Sequence, residues 1–299
     1  MDDSSFCRCS TAMNQYLGSE NSAAGIHEAR TLILPIPVEF STSYGKGTTG
    51  GPQAIIDASP FLEFYDEELD FETWRSGIFT LPFLENKGEP EQLMQGIGKT
   101  VTDYLQHNKF LVTLGGEHSI SSAVHQAYKK KYTNLSVLQF DALTDLRDQY
   151  EKSKWSHACV MRRIWEQNRN IVCFGIRSQC IEEREFIIEN KIPVYYAHQV
   201  QKEDLLEKCL SDLTDQVYIT FDADFLDPAI MPSVGTPEPG GFLWYETLSF
   251  LRKVFESKQV VGFDVVELSP IENLTAPDFL IAKLVYKMIG YKYRAQGKL

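Results

Sequence analysis

Val260-Val261-Gly262-Phe263-Asp264-Val265-Val266 is close to continuously apolar. A strand wetted on one face alternates apolar and polar residues, so this run predicts a strand covered on both faces, as in a parallel sheet. Shorter runs rich in β-branched or aromatic residues recur at 31–35, 110–114, 136–141, 170–175, 194–196 and 217–222. Each ends in a polar or Gly-containing turn. Helical patterns lie between them, at 52–58, 91–106, 121–130, 157–167, 182–190, 203–210, 245–257 and 276–291. Strands alternating with helices predict an α/β fold, three layers deep (α/β/α), around a mostly parallel, doubly wound sheet. No linker, low-complexity stretch or repeat breaks the pattern, which predicts a single domain over 26–299. Residues 1–25 are polar and weakly patterned and read as a flexible or loosely docked tail.

The chain has 299 residues, 43% hydrophobic and 23% charged, which is ordinary globular composition with enough length for a sizeable core. Asp plus Glu number 41 against 29 Lys plus Arg, a net charge of −12. That balance argues against a nucleic-acid binder, which needs clustered cations, and suits a small cationic substrate. Cysteines stand at 7, 9, 159, 173, 180 and 209 without a Cys-x-x-Cys pair, the usage of a reduced cytoplasmic chain. No apolar run approaches the roughly 18 residues of a membrane span. The acidic start MDDSSFCRCST lacks the apolar core of a secretory signal.

In open parallel sheets, ligands bind outside the C-terminal strand ends. Three such ends are chemically loaded. Leu114-Gly115-Gly116-Glu117-His118-Ser119 runs from a strand through a glycine pair into a helix start. On its own this reads as a helix N-terminus capped by Ser119 or Glu117. Phe140-Asp141-Ala142-Leu143-Thr144-Asp145 would set Asp141, Leu143 and Asp145 on one face by the period of two. Thr220-Phe221-Asp222-Ala223-Asp224-Phe225-Leu226-Asp227-Pro228 does the same for Asp222 and Asp224. One such cluster is explained by Asx turns. Two carboxylate pairs and a His at the ends of one sheet call for a compensating cation, and an imidazole among carboxylates suits Mn2+.

With these motifs in view, the chain resembles the ureohydrolase family, the arginases, agmatinases and their relatives, from about residue 30 to the end. The resemblance rests on Gly45-Lys46-Gly47-Thr48-Thr49-Gly50-Gly51-Pro52-Gln53-Ala54-Ile55, on Gly115–Ser119, on 221–228, on Gly235-Thr236-Pro237-Glu238-Pro239-Gly240-Gly241 and on Asp264-Val265-Val266-Glu267-Leu268-Ser269-Pro270. Glu117 stands where many members have Asp, at a position that is not a ligand. The resemblance implies an arginase-like fold, a homo-oligomer (trimer or hexamer) and two Mn2+ ions. The first ion would be held by His118, Asp141, Asp145 and Asp222, the second by Asp141, Asp222 and Asp224. The family's second motif reads Asp-Ala-His-x-Asp, and here Leu143 replaces that His, the second ion's nitrogen ligand. Leucine has no lone pair, so the second site is expected to bind weakly. Three readings follow: an introduced substitution that disables the site, a natural variant working with one metal or through solvent ligands, and a non-catalytic homologue with a binding role. The other motifs, all intact, favour the first two.

The implied chemistry is hydrolysis of a guanidinium to urea and an amine. Asp145 would handle the proton of the attacking hydroxide. His157, in Trp155-Ser156-His157-Ala158-Cys159, would protonate the leaving amine, a task suited to His near neutral pH. Glu267, helped by Thr236, would bind the guanidinium. His27, His107, His125 and His198 lack such a context. Asp145 is followed by Leu146-Arg147-Asp148-Gln149-Tyr150 without the Asn by which arginases read the amino-acid head. That points to agmatine, hydrolysed to putrescine and urea, with Asp148 and Glu151 as candidates for an acidic mouth. Arg147 points instead to a carboxylate-bearing guanidine such as guanidinobutyrate.

Overall fold

The computed structural model describes residues 14–85, 88–202, 205–295 and 297. Among these residues, ten strands and nine α-helices follow one another as β1 (Thr31–Ile36), α1 (Gly51–Ala58), β2 (Tyr65–Asp66), β3 (Phe71–Glu72), β4 (Ile78–Thr80), α2 (Pro90–Leu105), β5 (Phe110–Gly115), α3 (Ile120–Lys131), β6 (Leu135–Phe140), α4 (Val160–Gln167), β7 (Ile171–Ile176), α5 (Ile181–Asn190), β8 (Val194–Tyr196), α6 (Ala197–Val200), α7 (Leu206–Ser211), β9 (Gln216–Asp222), α8 (Trp244–Ser257), β10 (Gln259–Val266) and α9 (Ala276–Ala295). Eight strands form one sheet in the order β4-β1-β5-β10-β9-β6-β7-β8, and β2 and β3 make a separate antiparallel hairpin. Every pair in the large sheet is parallel.

The sheet is buried on both faces, and consecutive residues divide between them. Ile33 faces α1 and α9, while Leu32 and Leu34 face α2 and α3. This is why the strands read as unbroken apolar runs. In β10 the register shifts between Val260 and Gly262. A Cβ on Gly262 would lie 2.0 Å from the Tyr128 hydroxyl, so only glycine fits where Tyr128 crosses to Leu111 O.

The connection from β5 to β6 leaps two strand positions, which β10 and β9 fill later. The central four strands therefore stand in the order β5-β10-β9-β6, and their C-terminal ends converge at a topological switch point.

The sequence reading missed β4 and the β2–β3 hairpin, strands of two or three residues with too little pattern to see. Residues 203 and 204 of the expected helix 203–210 lie outside the described residues, and the helical part begins at Leu206. The loosely docked tail needs correction. Residues 1–13 lie outside the described residues, but Tyr16 and Leu17 are buried, and the Tyr16 hydroxyl donates to Ala282 O at 2.7 Å. That aromatic–aliphatic pair was the overlooked signal. No helix among the described residues is long and apolar enough to cross a membrane.

Candidate active site

The end of β5 sets the first half of the site. The Gly116 N–H donates to Ile36 O and the Glu117 N–H to Val38 O, binding the 37–47 loop to this turn. A Cβ on Gly116 would meet Val38 O at 2.1 Å, so this close approach requires glycine. Neither Ser119 nor Glu117 caps α3, contrary to the simple helix-start reading. Ser119 Oγ instead donates to the Glu117 carboxylate at 2.5 Å. That carboxylate also accepts the Phe40 and Ser41 N–H groups and the Ser41 hydroxyl.

His118 is wholly buried beneath the strand ends. Its Nε2 lies 2.8 Å from Thr220 Oγ1 on β9, and the Thr220 hydroxyl donates to Asp264 on β10 at 2.7 Å. The Tyr218 hydroxyl donates to the other Asp264 oxygen. With the Thr220 proton committed to a carboxylate, Nε2 must carry hydrogen and donate. The other ring nitrogen, Nδ1, stands 3.2 Å from Asp141, 3.2 Å from Asp145 and 3.1 Å from Asp222. None of the three makes a well-formed hydrogen bond to it.

Three carboxylates around one buried ring nitrogen strongly perturb titration. Burial pushes Asp145 up to about 8 and Asp222 up to about 6, with the Asp141 charge adding to each. Asp224 and Glu267 also lie well above the carboxylate range, again chiefly through burial. Burial alone would lower His118, but the Asp141, Asp145 and Asp222 carboxylates outweigh it and raise it well above its usual value. Without a cation, the cluster therefore draws in protons. His118, Asp141 and Asp222 can each offer a donor atom to one ion, and the orphaned Nδ1 is the atom such an ion would take.

Around this floor lies a cavity of about 200 Å³ lined by Asp141, Leu143, Asp145, Asp222, Asp224, His157, Thr236 and Glu267, among others. The structure thus brings together Asp141, Asp145, Asp222, Asp224, His157, Thr236 and Glu267, with His118 beneath them. Leu143 does line the cavity, where it presents only hydrocarbon, and its N–H donates to Asp141 Oδ1 at 2.6 Å. Asp222 accepts the Asp224 N–H across the turn between them, and Asp224 accepts the Ala142 N–H, joining the β9 and β6 ends. Phe225, at the end of that turn, is stacked on Phe242 at 4.6 Å and meets Phe140 edge-on at 5.2 Å. These buried rings anchor the turn that carries Asp222 and Asp224.

Asp145 and Glu267 both adopt left-handed backbone, with φ of 51° and 65°. Such φ values are uncommon for residues with a side chain and cluster at functional sites. Asp145 is held by its carbonyl, which accepts the Met161 and Arg162 N–H groups; Glu267 is held by its N–H, which donates to Gly116 O. The Glu267 carboxylate accepts the His118 N–H at 2.5 Å.

His157 opens the segment leading into α4, and burial lowers it to about 4, with His118 adding to the effect. His125 is buried, bonded to Asn168 and lowered by burial to about 3, so it packs as a neutral ring. The acidic mouth expected from Asp148 and Glu151 does not form: Asp148 pairs with Arg163 at 2.8 Å, and neither residue lines the cavity. Arg147 does line it, with its guanidinium 5.2 Å from the Tyr150 ring.

Sequence reading overlooked Ser41, Thr220, Arg177 and the role of Asp264. The Arg177 guanidinium donates to the carbonyls of Asp224, Phe225, Leu226 and Glu238, and so splints the segment that carries Asp224 and leads to Thr236. The available signal was a polar residue, Thr220 or Asp264, inside an otherwise apolar buried strand.

Residues 29–290 match the model of the arginase family. The chain is 38% identical over 293 residues to an N(1)-aminopropylagmatine ureohydrolase of Synechocystis sp., covering 95% of each chain. It is 36% identical to a protein of that name from Thermus thermophilus, covering 92% of this chain and 94% of the relative. Among solved structures, the agmatine ureohydrolase of Thermoplasma volcanium superposes with a TM-score of 0.84 at 29% identity, over 92% of this chain and 94% of the other.

Proposed function

The chain belongs to the arginase family, and on that premise we propose that it is a Mn2+-dependent amidinohydrolase. Its substrate would be a linear guanidine with a distal amine, agmatine or its N(1)-aminopropyl derivative. The observation that carries this reading is the buried His118 Nδ1, unpartnered and ringed by Asp141, Asp145 and Asp222 at 3.1–3.2 Å. An imidazole nitrogen with carboxylate oxygens is the donor set of a borderline cation such as Mn2+. A bound ion supplies Lewis acidity and makes hydroxide available near neutral pH. Asp145, on the cavity wall, orients the attacking oxygen and takes up the proton released. Glu267 pairs with the guanidinium through a charge-assisted hydrogen bond, with Thr236 beside it on the cavity wall. His157 delivers the proton to the leaving amine. The balance is agmatine plus water to putrescine plus urea. The names borne by the relatives support the amine-bearing class of substrate.

Leu143 leaves the cavity without a nitrogen donor next to Ala142, whose N–H is bonded to Asp224. The first ion's ligands are intact, so we infer a one-metal or weakly two-metal enzyme of reduced rate. A second substrate reading is carried by Arg147, whose place on the cavity wall would favour a distal carboxylate. Urea release from agmatine, N(1)-aminopropylagmatine, 4-guanidinobutyrate and arginine, with and without Mn2+, tests both. Turnover of arginine alone would overturn the amine reading, and 4-guanidinobutyrate as best substrate would establish the Arg147 reading. No urea from any of them, in this chain and in a metal-replete Leu143→His variant, would mean that the chain is not a hydrolase.

A further inference from the structure

The 37–47 loop lines the cavity with residues 42–45 and meets His157 through the Ser41 side chain. Its Oγ donates to Glu117 Oε1 at 2.9 Å, lies 2.9 Å from the His157 backbone nitrogen and lies 3.1 Å from His157 Nδ1. A serine hydroxyl has one proton to give and two lone pairs. Glu117 takes the proton, and the His157 backbone N–H, which can only donate, takes one lone pair. The remaining lone pair faces Nδ1, so Nδ1 must donate as well. The opposite polarity would turn the Ser41 proton to Nδ1 and press two acceptor oxygens together at 2.9 Å. Glu117 is itself held in place: its Oε2 accepts the Phe40 and Ser41 N–H groups, and Ser119 Oγ donates to Oε1. Ser156 Oγ, the other hydroxyl near Nδ1, is farther away at 3.4 Å.

We propose that Ser41, fixed by Glu117, is the positioning residue for His157: it locks the neutral ring as the Nδ1–H tautomer and leaves Nε2 bearing the lone pair. The ring then accepts a proton at Nε2 and returns it from the same atom, with Nδ1 never exchanging roles. Which nitrogen of a histidine works is set by the hydrogen bond that the other makes. Ser41 itself does not line the cavity, and its hydroxyl meets His157 rather than Asp141, Asp145, Asp222 or Asp224, so it acts through His157.

This inference rests on reading His157 as the proton-delivering group, but its test needs no turnover, so an inactive chain would leave it standing or falling on its own. The full chain would be labelled with 13C,15N-histidine and examined by magic-angle-spinning NMR, with Mg2+ in place of paramagnetic Mn2+. Carbon–nitrogen correlations report which ring nitrogen is protonated, and loss of one signal set in His157→Gln assigns the residue. The expected result is His157 protonated at Nδ1 alone, a shift to Nε2–H as major tautomer in Ser41→Ala, and retention of Nδ1–H in Ser41→Thr, which keeps the hydroxyl. His157 protonated at Nε2 in the unaltered chain would overturn the proposal without recourse to any variant. So would an unchanged His157 spectrum in Ser41→Ala.

Discussion

Thr220→Val removes one hydroxyl from the floor of the site while keeping the shape of the side chain. In the intact protein His118 Nε2 donates to Thr220 Oγ1 at 2.8 Å, and Thr220 passes the polarity on to Asp264 at 2.7 Å. With valine, a buried N–H loses its only acceptor, which destabilises the fold by about 1–3 kcal/mol. At roughly 2–4 °C per kcal/mol for a chain of this size, the melting temperature should fall by about 2–12 °C. A separate effect falls on metal binding. The lost partner frees the ring to rotate and to move its proton to Nδ1, and the loss of such an outer hydrogen bond weakens metal affinity about 10–100-fold. Calorimetric titration with Mn2+ reads that change, and Thr220→Ser should restore affinity because it keeps the hydroxyl. A lowered melting temperature with Mn2+ affinity unchanged within about twofold would show that Thr220 only packs, and that the Thr220–Asp264 pair does not orient His118 toward a metal.

Leu143→His should raise bound Mn2+ from about one to about two per chain, measured after dialysis, because imidazole restores the missing nitrogen donor. Urea release should rise with it; two bound ions and no gain in rate would show that Leu143 is not what limits catalysis. Glu267→Gln removes the charge that would meet the guanidinium and should raise KM by roughly ten- to hundredfold, the worth of a hydrogen bond to a charged group. In chelator, the melting temperature should fall as pH rises from about 4 to about 8. Asp145 and Asp222 are acids whose folded values, about 8 and about 6, exceed the unfolded value near 3.9, so the stability they give at low pH is lost as each deprotonates in the fold. Added Mn2+ should reverse that loss at the alkaline end, and a metal-free melting temperature that climbs across the interval would contradict the packing of carboxylates described here.

The sheet was legible because burial on both faces writes itself as apolar runs, as in Val260–Phe263 and Leu32–Leu34. The carboxylates of the candidate site were legible because they fall at strand ends with a spacing of two, Asp141 with Leu143 and Asp145, Asp222 with Asp224. Strand β4, three residues long, leaves no period to read. Ser41 was invisible for another reason. Its role comes from a contact across 116 residues to His157, and nothing in Phe40-Ser41-Thr42 distinguishes it from any loop serine. Asp148 and Glu151 misled because charge in a sequence does not say where it points; the Asp148 carboxylate is turned to Arg163 and away from the cavity.

Glu267 was described above as both the guanidinium-binding group and the acceptor of the His118 N–H, with its own N–H tied to Gly116 O. The carboxylate proposed to read the substrate and the backbone of the ring proposed to bind the metal are thus one mechanical piece. The His118 N–H engages Glu267 Oε1, so a guanidinium drawn onto that carboxylate meets a group already tied to the backbone of the ring, and any shift it causes is felt there. Thermodynamic reciprocity then makes the two ligands each other's effectors: whatever factor bound Mn2+ lends to guanidine affinity, the guanidine lends to Mn2+. If the guanidine strengthens Mn2+ binding, the chain holds its cation most tightly when substrate is present and releases it most readily when substrate is scarce.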